Sequence, residues 1–340
     1  MKNTPTTLRM ELGERSYDIV IGEGILTRAG EYLNLDRRAL IITDSGVPAE
    51  YSKTIASFCK ESRIFTFPAG EESKNIETYA NICKEMVTFN VQRKDVVIAV
   101  GGGVCGDMAG FAAATYMRGI DFYNVPTTLL SQVDSSIGGK TAIDFCGIKN
   151  IIGAFHQPKC VLIDTSVLKT LDKRQYAAGA AEIIKMALTS DPELFTMLEN
   201  GLMKKNEREA ITRALLIKKR IVEADEREGG ERRLLNFGHT FGHGIEALGG
   251  LFHGECVALG MLPMCNDRIR ERLIPILEEL GLPTVFSGDA SAALELMKHD
   301  KKGEGSSAYA VYVDEIGKGR VKKTPIDELI SHIRSYLERS

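Results

Sequence analysis

Three of the chain's six histidines, His239, His243 and His253, fall in one short stretch, RRLLNFGHTFGHGIEALGGLFHGE at 232–255. His239 and His243 stand four apart, so on a helix both rings share one face, about a turn from each other. The Gly249-Gly250 pair ahead of His253 allows a turn that carries this third ring back toward the start of the helix. Neutral imidazoles at such spacing suit a zinc-type ion, with a carboxylate from elsewhere as a further ligand. Spacing leaves open which two of the three would bind, and also that they bind nothing. Glu182 offers the carboxylate. It lies in the apolar helical stretch AAEIIK at 180–185, three residues before Lys185, so the two share a face. An ion pair within the helix and a buried metal ligand are both consistent with that placement.

A second group of residues suits anions. Gly101, Gly102, Gly103, Val104, Cys105, Gly106 and Asp107 follow the β-branched run Asp95–Val100 and precede an Ala-rich helical stretch. Glycines between strand and helix let backbone N–H groups approach a pyrophosphate at the helix N-terminus. The turn is not a standard dinucleotide fingerprint, because no acidic residue ends a strand about twenty positions on. Asp44, ending an earlier apolar run, could hold a ribose hydroxyl instead. Gly70-Glu71-Glu72-Ser73-Lys74 is another loop able to line the same crevice, or simply a helix start capped by Ser73. The run from Pro126 to Asn150 gathers Thr127, Thr128, Asp134, Ser135, Ser136, Lys140, Thr141 and Lys149, and is expected to be a long donor-rich loop held to a core by Leu129, Leu130, Val133 and Ile137. Arg118, Lys185, Lys218 and Arg232 add cations for a phosphorylated or carboxylated substrate.

The elements that must position these groups divide in two. Residues 8–21 alternate around Gly13-Glu14 as a β-hairpin, and strands at 39–43, 63–67, 95–100, 122–125 and 160–163 alternate with helices at 47–60 and 75–90. That rhythm implies an α/β domain with a parallel sheet over residues 1–165. Helices are expected at 174–189, 191–203, 206–224, 236–248, 254–272 and 273–281, with one small strand at 309–313, giving a mostly helical domain over 166–340. Chemistry is expected in a cleft between the two. At 340 residues two domains are the default. A net charge of -3 argues against a general nucleic-acid or membrane-surface binder. The seven cysteines are odd in number and form no CxxC pair, and no segment has signal-peptide or membrane-spanning character, so buried free thiols in a cytoplasmic protein are expected.

Taken in order, GGGVCGD at 101–107, TYMRG at 115–119, PTTLLSQVDSSIGGKTA at 126–142, KNIIGAFHQP at 149–158, GAAEIIKMAL at 179–188, DEREGGERRLLNFGHTFGH at 225–243 and HGECVALGM at 253–261 resemble the 3-dehydroquinate synthase family of sugar-phosphate cyclases. The resemblance covers nearly the whole chain. It implies an N-terminal Rossmann-like domain joined to a helical domain, working as a homodimer with NAD and one zinc or cobalt ion. By it, Glu182, His239 and His253 are the metal ligands, and His243 faces the chemistry or the phosphate. Asp44, Glu71, Lys74, Gly102, Gly103, Val104, Asp107, Thr127 and Thr128 contact nucleotide, while Lys149 and Lys140 reach nucleotide or substrate. Asp134, Lys140, Asn150, Lys185, Lys218, Arg232 and Asn236 surround the substrate, with Arg118 reaching a phosphate across the dimer interface. One of Lys301 and Lys302 closes the site. The chain departs from the family pattern at 144–148, where Asp-Phe-Cys-Gly-Ile replaces the usual Asn, Pro and Leu-Gly, although the spacing from Lys140 to Lys149 is kept.

The family reaction turns 3-deoxy-D-arabino-heptulosonate 7-phosphate into 3-dehydroquinate and phosphate. It runs by transient oxidation with NAD, elimination of phosphate, reduction and intramolecular aldol closure, so the nucleotide must stay bound. Sister cyclases making 2-deoxy-scyllo-inosose or 2-epi-5-epi-valiolone are the nearest rivals. A metal-dependent polyol dehydrogenase would accumulate NADH. A non-catalytic binding protein would have no need of metal, nucleotide and anion sets together.

Overall fold

The computed structural model describes residues 4–301 and 306–339, and of His299, Asp300 and Lys301 only the backbone; the side chains of Lys301 and Lys302 therefore lie outside the described residues. The chain divides into two compact units, Met1–Leu171 and Asp172–Ser340, so the short helical segment Thr165–Thr170 groups with the first.

Unit one is a seven-stranded sheet. Its strands are β1 (Thr6–Met10), β2 (Tyr17–Gly22), β3 (Arg38–Asp44), β4 (Glu61–Phe67), β5 (Val96–Gly101), β6 (Asp121–Pro126) and β9 (Cys160–Asp164). They lie in the order β1-β2-β9-β6-β5-β3-β4, and every pairing except β1 with β2 is parallel. All six residues of β5 are buried, which is why its sequence shows no alternation. Successive side chains still leave on opposite faces. Leu40, Ile42, Val97 and Ala99 join Ile82 and Met86 of α2 (Ile76–Thr88) and Met108, Ala109 and Ala112 of α3 (Gly103–Thr115). Ala39, Ile41, Val96, Ile98 and Val100 pack on the other face with Ile25, Leu26, Ala29 and Ile55, the last on α1 (Ala49–Ala56). Each large aliphatic chain so buried contributes roughly 1.5–3 kcal/mol.

Two local expectations fail here. The helix at 76–88 is capped by Asn75, whose side chain accepts from the Thr78 amide at 2.9 Å; Ser73 donates to the Pro68 carbonyl instead. The run 126–150 is not a long loop. It forms a π-helical turn at Ser131–Ser135 and then an antiparallel hairpin of β7 (Lys140–Phe145) and β8 (Ile148–Phe155). Cys146 and Gly147 make its tip with φ of 51° and 77°, the left-handed pair that suits a tight two-residue hairpin turn. Most of β8 is exposed on both faces, so no apolar alternation announces it. The 144–148 departure from the family pattern is thus this tip.

Unit two is helical: α4 (Lys173–Ser190), α5 (Pro192–Glu199), α6 (Leu202–Lys205), α7 (Glu207–Ala224), α8 (His239–Glu246), α9 (His253–Met261), α10 (Asp267–Glu279), α11 (Ala290–Lys301) and α12 (Ile326–Leu337), with the ribbon β10 (Ser307–Val313) and β11 (Gly319–Pro325). The single helix expected at 254–272 is broken. Leu262–Met264 tightens to a 3-10 turn, Cys265 is extended, and Asn266 caps α10 through the Ile269 amide at 3.0 Å. The boundary expected between 272 and 273 is absent, and Pro275 lies inside α10. Burial of Ile269, Leu273, Ile276 and Leu277 on one face offsets a mid-helix proline costing about 3 kcal/mol. β11, α11 and α12 carry no signal that the sequence reading used. No disulfide joins any of the seven cysteines, and Cys146 is exposed rather than buried. Among the described residues no helix is long and apolar enough to cross a membrane.

Candidate active site

The metal-ligand candidates assemble from three helices of unit two. Glu182 projects from the middle of α4, where small residues Ala178, Gly179 and Ala181 permit close packing, and it is fully buried. His239 opens α8, one residue after Gly238, whose φ of 79° ends the preceding 3-10 turn Glu231–Asn236. The helix therefore starts later than the 236 expected from its pattern. His253 opens α9 beyond Gly249 and Gly250, both at positive φ. The Nε2 atoms of His239 and His253 lie 3.8 and 3.6 Å from Oε1 of Glu182. One ligand atom from each of the three residues falls within 4.8 Å of the others.

That donor set fits a divalent ion. The Nδ1 atoms of both histidines are engaged, His239 with the Phe237 carbonyl at 3.1 Å and His253 with Glu246 Oε2 at 3.0 Å, so both Nε2 atoms are turned to the shared carboxylate. His243 is outside this set. Its ring centroid is 5.4 Å from that of His239 and 6.4 Å from that of His253. Electrostatics separate the two imidazoles. Burial, with Lys185 nearby, holds His239 far below the usual imidazole range. Burial also opposes charge on His253, but hydrogen bonds to Glu182 and Glu246 overcome it and push its pKa up to about 10. Two carboxylates there hold a proton tightly, and a divalent cation would compete for the same place.

One buried cation borders the triad, and two more are buried elsewhere in unit two. Lys185, almost fully buried one turn along α4, contacts Glu182 Oε2, so the ion pair and the ligand geometry coexist. Lys218 is buried on α7. Arg232 is buried at the end of a loop organised by Asp225, and its guanidinium donates to the Glu226 carbonyl. Asn236 donates to Glu228 at 2.8 Å. Glu246, Asp225 and Glu228 were not singled out from sequence. For Glu246 a signal existed, since 239, 243 and 246 follow the i, i+4, i+7 spacing of one helix face.

In unit one the glycine turn sits where the sheet order reverses. β3 pairs with β4 on one side and β5 on the other, and the chain thereafter proceeds away through β6 and β9. Crevices at such reversals, at the carboxyl ends of strands, are where open α/β sheets bind ligands. Asp44 ends β3 and Gly101 ends β5. Asp44 accepts from the Gly46 amide at 2.9 Å, and burial raises its pKa despite that bond. A Cβ on Gly102 would stand 3.0 Å from Thr128 Cγ2, and one on Gly103 would stand 3.1 Å from Ser135 Oγ, so backbone alone faces that space. Ser135 Oγ is buried with no hydrogen-bond partner among the described residues. Both observations fit a phosphate approaching the N-terminus of α3, where Val104 also lies.

Lys74 is buried beside this turn. Its ammonium lies 2.7 Å from Asp107 Oδ2 and 3.9 Å from Glu71 Oε1, and it donates to Asn150 Oδ1. Burial opposes its charge, yet Asp107 and Glu71 hold its pKa above the usual lysine value. Asn150, expected around the substrate, thus bonds directly to one of the nucleotide candidates. Thr127 is buried and its amide donates to the Gly101 carbonyl at 2.9 Å, while Thr128 Oγ1 accepts from the Ser131 amide at 3.2 Å. Asp134 is half-buried on the π-helical turn, Lys140 and Lys149 are exposed on the hairpin, and Arg118 is exposed at φ 68°.

The family model described as 3-dehydroquinate synthase N-terminal matches residues 64–178, and its C-terminal companion matches 179–303. The chain belongs to the 3-dehydroquinate synthase family. It is 42% identical over 350 residues to 3-dehydroquinate synthase of Caulobacter vibrioides, covering 93% of this chain and 95% of the relative. A solved 2-deoxy-scyllo-inosose synthase, complexed with carbaglucose-6-phosphate, NAD+ and Co2+, superposes with a TM-score of 0.88 at 26% identity over 97% of this chain and 99% of that one. 2-epi-5-epi-valiolone synthase of Streptomyces hygroscopicus subsp. jinggangensis, with NAD+ and Zn2+ bound, gives a TM-score of 0.86 at 29% identity, with the same coverage. The fold is that of the sugar-phosphate cyclases, a Rossmann-like α/β unit followed by a helical one.

Proposed function

We propose that the chain is a 3-dehydroquinate synthase, converting 3-deoxy-D-arabino-heptulosonate 7-phosphate into 3-dehydroquinate and phosphate by transient oxidation, phosphate elimination, reduction and aldol closure. The observation that carries this reading is the convergence of His239 and His253 on buried Glu182 with Lys185 alongside, in a chain of this family. Solved sister cyclases superpose with TM-scores of 0.88 and 0.86, but at 26% and 29% identity, against 42% sequence identity to the dehydroquinate synthase of Caulobacter vibrioides.

When bound, NAD accepts and returns the hydride, and a divalent ion acidifies the hydroxyl to be oxidised. Glu182, His239 and His253 would hold the ion, and Asp44, Glu71, Lys74, Gly102, Gly103, Val104, Asp107, Thr127, Thr128 and Lys149 would hold the nucleotide. Lys185, Lys218 and Arg232 present buried positive charge to a carboxylate and a phosphate, and fixing both ends of the substrate lowers the entropic part of the barrier. Asp134, Lys140, Asn150, Asn236 and His243 complete the substrate's surroundings. No side chain is assigned as a dedicated base for the eliminated proton; the departing phosphate can take it.

We also place the enzyme in the cytoplasm as a homodimer. The hairpin exposes Phe145, Ile148, Ile151 and Phe155, and Arg118 lies on an exposed turn, an arrangement suited to contact with a second copy. The decisive assay incubates the purified protein with NAD, Zn2+ or Co2+ and the heptulosonate phosphate. Stoichiometric phosphate release without net NADH is expected. Release only from a different sugar phosphate would make it a sister cyclase, and accumulating NADH would make it a dehydrogenase.

A further inference from the structure

Both candidate histidine ligands are oriented through Nδ1, but by different means. His239 uses the main-chain carbonyl of Phe237, which no side-chain substitution removes. His253 uses a side chain, Glu246 Oε2 at 3.0 Å, from the last residue of α8. An ionised carboxylate only accepts hydrogen bonds, so it keeps the proton on Nδ1 and leaves Nε2, 3.6 Å from Glu182, as the nitrogen that gives up its proton to become a ligand atom. His253 needs such an anchor more than His239. It follows two glycines at positive φ, it is the first residue of its helix, and its side chain keeps 30% of its exposure against 12% for His239.

We infer that Glu246 is a positioning residue for the metal site, fixing the tautomer and ring orientation of His253 from the helix that also carries His239. The inference rests on the metal assignment above. It makes α8 supply one ligand directly and the orientation of a second across the turn to α9. Outer partners of this kind are typically responsible for about 10–100-fold in metal affinity.

The test titrates metal-free full-length protein with Zn2+ against a chromophoric chelator, for the wild type and for E246A, E246Q and H239A. Circular dichroism of the metal-free proteins checks folding. E246A is expected to bind zinc about 10–100-fold more weakly, and E246Q, whose amide oxygen still accepts from Nδ1, to recover part of that loss. The Co2+ form of E246A should show an altered ligand-field spectrum, which a loss of general stability would not produce. Zinc affinity in both Glu246 variants within about twofold of the wild type would overturn the inference while H239A remained impaired. A wild type that binds zinc no better than H239A would overturn the metal assignment itself, and this inference with it.

Discussion

Gly260 of α9 lies so close to Gly238 that a Cβ at 260 would fall on the Gly238 carbonyl oxygen. Gly238 immediately precedes His239, and α9 begins at His253, so this backbone contact sets the separation of the two imidazoles. Gly260→Ala has no flexible side chain to displace. Overpacking of this kind costs about 1–3 kcal/mol or more. A lowered thermal midpoint together with weaker zinc binding is expected, and a variant with both properties unchanged would show that the helices can slide apart freely.

Glu182→Gln and His239→Ala should each leave the chain folded and remove metal binding by more than the about 100-fold upper range of outer partners. Metal content after dialysis, measured beside circular dichroism, reads this directly. A metal-stripped variant with full turnover is the outcome that defeats it.

Lys74→Ala removes a buried ammonium that joins Asp107 and Asn150 beside the glycine turn. A hydrogen bond to a charged group contributes about 1.5–3 kcal/mol, so NAD affinity should fall by roughly 10- to 100-fold in calorimetry. Because the folded pKa of Lys74 is raised, its contribution to stability is intact throughout the neutral range and is lost only as pH climbs through that raised value.

His156 gives a pH dependence of opposite sense. Burial holds its pKa below 6.5 despite the hydrogen bond to the Ile120 carbonyl, and its ring stacks on Phe122. The unfolded chain takes up this proton first, so stability should fall as pH drops below about 6.5 toward the depressed value. Unfolding midpoints between neutral pH and pH 5 should decline less in His156→Gln than in the wild type; identical slopes would refute the assignment.

Asp225 accepts from the amides of Gly229, Gly230 and Arg232 at 2.9, 2.6 and 3.1 Å. Burial is the largest single influence and raises its pKa, but the three donors and the Arg232 charge together bring it below the usual carboxylate value. Asp225→Ala should loosen the loop that delivers Arg232, and misplacing a substrate-binding group by about 1 Å can cost 100-fold in rate. Steady-state kinetics should show a raised KM and a lowered kcat with an unchanged far-ultraviolet spectrum; wild-type constants would free Arg232 from this loop.

Much of this protein was legible in its residues. The unbroken β-branched run of β5, the alternation of strands and helices to about residue 165, and the helical texture beyond it fixed the fold class, because burial on both faces of a parallel sheet and on one face of a helix leave distinct periodicities. The histidine cluster, the glycine turn and the ordered motifs named the candidate residues. Tertiary structure decided what periodicity cannot encode. It set β5 against β3, which places Asp44 and Gly101 at one reversal of the sheet, and strand order depends on contacts between distant segments. It folded the polar run into a hairpin whose exposed strand carries no pattern. It also chose His239 and His253 over His243, since the pair that shares Glu182 follows from how α4, α8 and α9 pack through Gly238, Gly254 and Gly260 rather than from spacing along one helix.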